Sequence, residues 1–309
     1  MLQIAVVPAG AIGTYFGGRL IQAGAAVRFL ARGAQLDALR TGLAVQSVAG
    51  DFALEASAYT VSDDPATVLR GADLVLFAPK AFDTAALAAA LAPHLDPATV
   101  LISLQNGIEN EAVLADILGP QRVAAGAAYI EAELDAPGHV THRRLGRVLV
   151  AAQTVGGTPV PHLDILHALS TTAGITFERA TDGPTLKWSK LVTISALSGW
   201  TAAARRKLDA ILADPELHTA FAATLLETAT VAAADGAQLD PAQTVAGVLA
   251  LCAKLGDMGS SLLYDLEHGR RLEVDALNGA VVRKGRALGI PTPYNQALLA
   301  LLGAARPTE

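Results

Sequence analysis

The chain has 309 residues, 52% of them hydrophobic and 17% charged, with a net charge of −6 and a single cysteine. That length suits two domains, the acidic balance with no basic run disfavours nucleic acid and anionic membrane as partners, and one thiol cannot build a disulfide framework or a thiolate metal cage within the chain. The positive mean hydropathy comes from alanine, leucine and valine, and the most apolar late stretches, residues 245–253 and 297–305, are too short to cross a bilayer. No cationic leader with a long apolar core precedes the first strand, so a cytoplasmic protein without a signal peptide is expected.

Residues 4–7 (IAVV) are a short β-branched run followed by Pro8 and glycines, the pattern of a buried strand. Pro8-Ala9-Gly10-Ala11-Ile12-Gly13 is one residue away from G-x-G-x-x-G, and a helical period follows over 12–23 to a stop at Gly24. A second apolar strand, 26–31, ends in Arg32. A strand–turn–helix–strand unit of this length binds a dinucleotide. Gly10 lets the backbone approach a pyrophosphate, Gly13 lets the helix pack on the strand, and the helix N-terminus offers N–H groups and a partial positive charge to phosphate. Pro8 replaces the first glycine of the fingerprint and fixes φ near about −65°, so the turn must tolerate that angle. Between 27 and 33 there is no Asp or Glu to hold the ribose hydroxyls of NAD, whereas Arg32 suits a 2′-phosphate, and NADP(H) is the expected cofactor. A βαβ unit without nucleotide, its glycines serving packing, is the alternative.

After Arg32 a polar, glycine-containing segment leads to strands at 43–47 and 52–58, a hairpin across Ala49-Gly50-Asp51. Asp64-Pro65 opens a short helix that ends near Gly71. Residues 73–78 (DLVLFA) form a buried strand that runs into Lys80 and an alanine-rich helix to about Leu91. The strand 99–104 (TVLISL) ends in Gln105-Asn106-Gly107, and a helix begins near Glu109. Strands follow at 123–133, 139–142 and 147–152, then a helix at 165–172 and a strand at 175–178. This alternation implies an α/β domain with a mostly parallel sheet covered on both faces. At Asp182-Gly183-Pro184 the period becomes helical and remains so to about 305, interrupted at Asp214-Pro215, Gly236, Asp240-Pro241, Gly256, Gly269 and Gly289-Ile290-Pro291. The expected domains are 1–182, binding the nucleotide, and an all-α domain, 183–309.

In open α/β sheets ligands bind beyond the carboxyl ends of the strands, where Lys80 and Gln105-Asn106 fall beside the loop 8–13 with Arg32. Taken singly, each is an ordinary surface charge or turn-former; their common sheet edge favours a site. In the helical part Lys190, Ile194 and Ser198 are four apart on one face, and Ser261 shares a face with Asp265 if that segment is helical. Glu273 lies beyond Gly269, near the start of the last long helix. A solvated face with routine ion pairs is the plain alternative. Cys252, between Leu251 and Ala253, reads as core, and no spacing among the seven histidines is that of a ligand set, so no metal is assigned.

Together these residues resemble the ketopantoate reductase (2-dehydropantoate 2-reductase) family over nearly the whole chain. PAGAIG is similar to the family's nucleotide loop, and Arg32 to its NADP-phosphate arginine. Lys80 in APKAFDT is similar to the lysine between cofactor and substrate, and Asn106 in LQNGIENE to the asparagine near the nicotinamide. Lys190 in LKWSKL resembles the catalytic lysine, while Ser261 and Glu273 in SSLLYDLEHGRRLEVDALNG resemble the substrate-binding serine and the active-site glutamate. The resemblance implies a Rossmann-type domain, a helical second domain, an interdomain cleft, and NADPH-dependent reduction of 2-dehydropantoate to pantoate. It departs at Pro8, and at Ile194 and Ser198, where well-studied members carry substrate-contacting asparagines. Lost amide donors bear on substrate choice. Under the resemblance Lys190 is the general acid, Glu273 holds it and binds the substrate hydroxyl, Ser198 and Ser261 meet the substrate, and Asn106 and Lys80 bridge cofactor and substrate. The alternatives are an enzyme for a different 2-oxo or hydroxy acid and an NADP(H)-binding sensor without turnover. The expected partner is a small 2-oxo acid, with neither nucleic acid nor membrane, and a homodimer is left open.

Overall fold

Strand β1 (Gln3–Val7) is buried on both faces, with Ile4 and Val6 in one apolar cluster and Ala5 and Val7 in another. The structure, a computed structural model, describes residues 1–305. Two units compose it: Met1–Gln105 with Asn110–Gly183, and Asn106–Glu109 with the chain from Pro184 onward.

The first unit is Rossmann-like. After β1 come α1 (Ala11–Gln22), β2 (Ala26–Leu30), α2 (Gly33–Leu39), β3 (Gly42–Ser47), β4 (Phe52–Glu55), β5 (Thr60–Ser62), α3 (Pro65–Leu69), β6 (Leu74–Phe77), α4 (Thr84–Leu91), β7 (Val100–Ser103), α5 (Asn110–Leu118), β8 (Val123–Ala136), β9 (His139–Thr154), α6 (Leu163–Thr172) and β10 (Thr176–Ala180). Among the described residues the strands form one mixed sheet in the order β4-β3-β9-β8-β7-β6-β1-β2-β5, with β10 beside β9. The pairs β3–β4 and β8–β9 are antiparallel and the rest are parallel. On one face Phe16, Leu20 and Leu166, from α1 and α6, cover Ile4, Val6, Leu76 and Ile102. On the other, Val68, Leu87 and Leu114, from α3, α4 and α5, cover Val7, Val75 and Leu101. Each such side chain contributes about 1.5–3 kcal/mol on burial.

Two local features differ from the sequence pattern. The polar segment after Arg32 is helix α2, of which only Leu36 and Leu39 are buried, too few to give a periodic signal. The strands expected at 139–142 and 147–152 are one, β9, because Leu145 (φ 67°) and Gly146 (φ 116°) form an irregularity within the ladder to β8 instead of ending the strand.

The second unit, among the described residues, is helical: α7 (Gly183–Ala204), α8 (Leu208–Ala213), α9 (Pro215–Ala234), α10 (Pro241–Leu255), α11 (Ser261–Glu267), a π-helical turn (Asp275–Gly279), α12 (Ala280–Leu288) and α13 (Pro293–Ala304). The Asp-Pro pairs act as helix starts here. Asp214 and Asp240 cap α9 and α10 by accepting from Glu216, Leu217 and Gln243 N–H groups, and the proline takes the first turn, where no N–H is needed. Glu273 precedes the π turn that runs into α12; the last helix, α13, is separate because Gly289 ends α12 in a left-handed conformation (φ 69°). Cys252 packs with Phe221 and Leu225, and burial pushes its thiol up to about 11, consistent with a core role. No helix of the described residues is long and apolar enough to cross a membrane.

Helix α1 lies on the sheet through glycines. A Cβ on Gly13 would stand 2.5 Å from the Pro8 carbonyl oxygen and 2.7 Å from Val6 Cγ1, and one on Gly17 would stand 2.5 Å from the Phe29 ring. At Gly10 a Cβ would meet no atom within 4 Å. Gly13→Ala should therefore cost about 1–3 kcal/mol, because a backbone carbonyl cannot rotate away, whereas Gly10→Ala should stay within about 0.5 kcal/mol of the wild type. Urea denaturation of the two variants measures the difference; equal losses would contradict this packing.

A second contact fixes α1 to β3 and β9. His142 Nδ1 lies 2.8 Å from Ser47 Oγ, while its Nε2 faces the carbonyls of Arg144 (3.1 Å) and Leu145 (3.2 Å), so Nε2 carries the proton and Nδ1 accepts from the serine. Arg19 of α1 donates to Ser47 Oγ and to the Gly50 carbonyl. Although serine and histidine have the spacing of a nucleophile and its base, both are buried and Ser47 Oγ also accepts from Ala49 N–H, which makes the pair a pin for the β3–β4 turn. Burial, with a smaller contribution from Arg19, holds the His142 imidazolium below its ordinary pKa. The fold thus keeps this ring neutral, and its contribution to stability is present above the ordinary histidine value and is lost as pH falls below it. The melting temperature should drop between about pH 7 and about pH 5, and His142→Phe should flatten that drop; an unchanged slope in the variant would show that His142 is not responsible.

Candidate functional site

The loop after β1 is held by backbone and by one glutamine. Ala9 N–H donates to the Leu30 carbonyl (2.8 Å), and Gln35 of α2 donates to the Ala9 carbonyl (2.9 Å) while accepting from Gly138 N–H (2.9 Å) at the β8–β9 turn. The Val7–Pro8 peptide bond is cis, and Pro8 leaves the loop and its contacts formed. Gly10 is the N-cap of α1 and has no capping side chain, so the first-turn N–H groups of the helix face the space above Gly10. Ala11 and Ile12 are half-buried and Gly13 is buried against the Pro8 carbonyl. Arg32 is exposed at the end of β2, where it is the N-cap of α2. Open space over Gly10, an uncapped helix N-terminus and a free-standing arginine at the adjacent strand end are a donor set that fits a phosphate-bearing dinucleotide.

Lys80 follows β6 in extended conformation and is half-buried. Its turn is tied to the end of β7 by Gln105, which donates to the Pro79 carbonyl (3.1 Å) and to Thr84 Oγ1 (2.7 Å); Thr84 Oγ1 in turn lies 3.0 Å from Asn110 Oδ1. Gln35 and Gln105 were not singled out by the sequence as supports of these loops; a glutamine carries no motif, and only the tertiary contacts reveal them.

In the second unit Lys190 and Ser198 lie on α7, each 5% exposed, and Glu273 is 8% exposed ahead of the π turn. Ile194, between them on α7, packs half-buried against the cluster of Trp188, Leu191, Leu277 and Val281. Those four residues bring α7 and the segment after Glu273 together. Asn106 belongs to this unit. Its loop is held by Ile108 in the same cluster and by Glu109, whose carboxylate accepts from Arg283 Nε (3.1 Å) and Nη2 (2.6 Å); Arg283 Nη1 also meets Asp275 (2.9 Å). Such a two-pronged pairing is worth more than a single surface contact because both oxygens are fixed.

Ser261 is the exposed first residue of α11. Its neighbour Ser260 is the cap, accepting from Leu263 N–H (3.0 Å) and lying 2.7 Å from the buried Thr201 hydroxyl. The structure thus gathers Lys190, Ser198, Glu273 and Asn106 in one unit with α7, places Ser261 at a helix start in that unit, and keeps the loop 8–13, Arg32 and Lys80 in the other. No group of three or more His, Cys, Asp or Glu suited to a metal forms among the described residues.

Comparison with known proteins covers both units. The family model for ketopantoate reductase PanE/ApbA matches residues 4–153, and that for its C-terminal part matches residues 184–306. A 2-dehydropantoate 2-reductase of Archaeoglobus fulgidus is 33% identical over 300 residues, covering 97% of this chain and 96% of its own. Among solved structures, a PanE/ApbA family ketopantoate reductase from Ralstonia eutropha superposes with a TM-score of 0.88 at 33% identity, covering 98% of each chain. The 2-dehydropantoate 2-reductase of Geobacter metallireducens does so with a TM-score of 0.91 at 29% identity, covering 98% of this chain and all of its own. Family models matching most of both units, a relative at one-third identity over 97% of the chain, and the same fold in solved members make this chain a member of the ketopantoate reductase family of oxidoreductases.

Proposed function

We propose that the chain reduces a 2-oxo acid with NADPH, the substrate being 2-dehydropantoate and the product (R)-pantoate, a step of pantothenate synthesis. Family membership supplies the reaction class. The observation that carries the assignment of roles is the burial of Lys190 and Glu273, a lysine and a glutamate both taken almost wholly out of water in one unit. Ionisable groups are costly to bury, and sites of chemistry are where proteins bear that cost.

In this proposal residues 1–182 hold the cofactor and 183–309 the substrate, with Asn106 serving both. Pro8, Ala9, Gly10, Ala11, Ile12 and Gly13 surround the pyrophosphate, Arg32 meets the 2′-phosphate, and Lys80 lies on the nucleotide side. When bound, the reduced nicotinamide supplies a hydride for the keto carbon. Negative charge then grows on the keto oxygen, which needs a donor. Lys190 gives that oxygen a proton from Nζ. Glu273 orients Lys190 and accepts from the substrate hydroxyl. Ser261 and Ser198 donate to the polar groups of the acid. A different 2-oxo acid is the second reading: Ile194 turns a half-buried apolar side chain into the α7 face between Lys190 and Ser198, and Ser198 offers only a short hydroxyl.

Arg32→Ala should weaken NADPH binding by the loss of charge-assisted contacts of about 1.5–3 kcal/mol, and leave NADH binding nearly unchanged. Cofactor fluorescence titration measures both, and equal weakening would remove Arg32 from the phosphate site. Lys190→Ala should lower kcat by about 10²–10⁴ with NADPH affinity kept. Lys80→Ala should weaken cofactor binding as well as rate. Steady-state kinetics with cofactor titration separates them; if Lys190→Ala kept its kcat while Lys80→Ala abolished chemistry with cofactor bound, the proton donor would be Lys80.

A further inference from the structure

One fully buried amide, in the DALNG segment after Glu273, has no part in the proposed roles. Asn278 is 0% exposed and lies in the π-helical turn, where Gly279 N–H reaches five residues back to the Val274 carbonyl (3.0 Å). Its Nδ2 donates to the Ser195 carbonyl on α7 (3.1 Å) and to Asn295 Oδ1 on α13 (2.9 Å). The Ser195 carbonyl can only accept, which fixes the orientation of the Asn278 amide. Asn295 is oriented in turn by Glu227 of α9, to which its Nδ2 donates (2.9 Å), and Glu227 also accepts from the Tyr294 and Asn295 backbone N–H groups. Ser195 Oγ and Thr228 Oγ1 complete the knot at 3.0 Å.

Two features set this knot apart from ordinary packing. Asn278 Oδ1 is buried and accepts no hydrogen bond among the described residues, a free-energy cost that an apolar residue would avoid. Gly199 of α7 lies beside the knot: a Cβ there would stand 2.6 Å from Leu298 Cδ1 on α13, so the close packing of α7 on α13 requires the glycine, while Asn278 Nδ2 lies at ordinary contact distance from that position. A π turn adds a residue to a helix and re-aims the side chains on either side of it, and such turns recur at functional sites.

We propose that Asn278 is a positioning residue: its amide, bonded to the Ser195 carbonyl of α7 and to Asn295 of α13, sets the segment carrying Glu273 at a fixed height against the helix carrying Lys190. This rests on the catalytic roles proposed for Lys190 and Glu273. Ser195 lies five residues beyond Lys190, about 7.5 Å along a rigid helix, and three before Ser198, so a slip at this carbonyl is transmitted to both. Displacing a reacting group by about 1 Å costs about a hundredfold in rate.

The test is a double-mutant cycle of Asn278→Leu with Glu273→Gln, measuring kcat and KM for the 2-oxo acid from NADPH consumption, NADPH affinity by fluorescence, and melting temperature. Asn278→Leu should lower kcat about 10–100-fold, with NADPH affinity unchanged and the melting temperature somewhat lower, since Asn295 Oδ1 loses its donor. In the Glu273→Gln background the same change should cost less than about threefold more, since the two act as a unit. A kcat within about twofold of the wild type, or an equal loss in both backgrounds, would overturn the positioning role. If Asn278→Leu does not fold, Asn278→Ala is read by the same criteria. A fully active Glu273→Gln single variant, or a wild type without turnover, would instead overturn the catalytic roles themselves and the positioning role with them, and each is recognised before Asn278 is touched.

Discussion

The close approach of α1 to β1 is the constraint on which the first unit depends. Gly13 lies where any side chain would strike the Pro8 carbonyl, and Gly17 where it would strike Phe29. Only with both glycines can the helix rest on the sheet, bury Tyr15, Phe16 and Leu20 in the same cluster as Ile4 and Val6, and bring its N-terminus to the end of β1. The helix N-terminus proposed to face phosphate and the apolar core are therefore set by one packing distance. Replacement of the first fingerprint glycine by Pro8 is tolerated because the contacts that shape the loop use the Ala9 N–H and carbonyl and the Pro8 carbonyl, none of which needs an N–H at residue 8.

The second unit is organised around polar groups rather than around glycine. α7 buries two lysines, Lys187 and Lys190, and two serines, Ser195 and Ser198, on a helix otherwise lined by Leu191, Val192, Ala196 and Leu197. An interior of this kind is stable only when the polar atoms are paired. The Ser195–Thr228–Asn295–Glu227 knot and the Trp188–Asp235–Lys284 chain provide such pairing. Lys190, proposed as the proton donor, thus stands on a helix whose position is fixed by hydrogen bonds as well as by shape, which is what a site needing sub-ångström placement requires.

The sequence showed what depends on local pattern. The buried runs at β1, β6 and β7, the near-glycine fingerprint, the Asp-Pro helix starts and the change of period near residue 182 all follow from a few adjacent residues. It did not show what depends on partners far along the chain. β5 is three partly exposed residues that become a strand only beside β2. β9 passes through Leu145 and Gly146 because β8 holds both sides of the irregularity. Gln35, Gln105 and Asn278 carry no motif that marks them as supports, and their importance rests on hydrogen-bond partners 21–103 residues away. The hydrophobic period puts Glu273 near the start of the last long helix, because a π turn and a left-handed Gly289 leave no trace in it.

The proposed reaction assigns the cofactor to the glycine loop and Arg32 and the proton to Lys190. The direct measurement is the consumption of NADPH, followed by its absorbance, against a panel of 2-oxo acids that includes 2-dehydropantoate, with NADPH affinity determined in parallel. Turnover of 2-dehydropantoate above the other acids, with NADPH preferred to NADH, is the predicted result. Tight NADPH binding with no turnover of any 2-oxo acid would contradict the account and leave a nucleotide-binding protein without this chemistry.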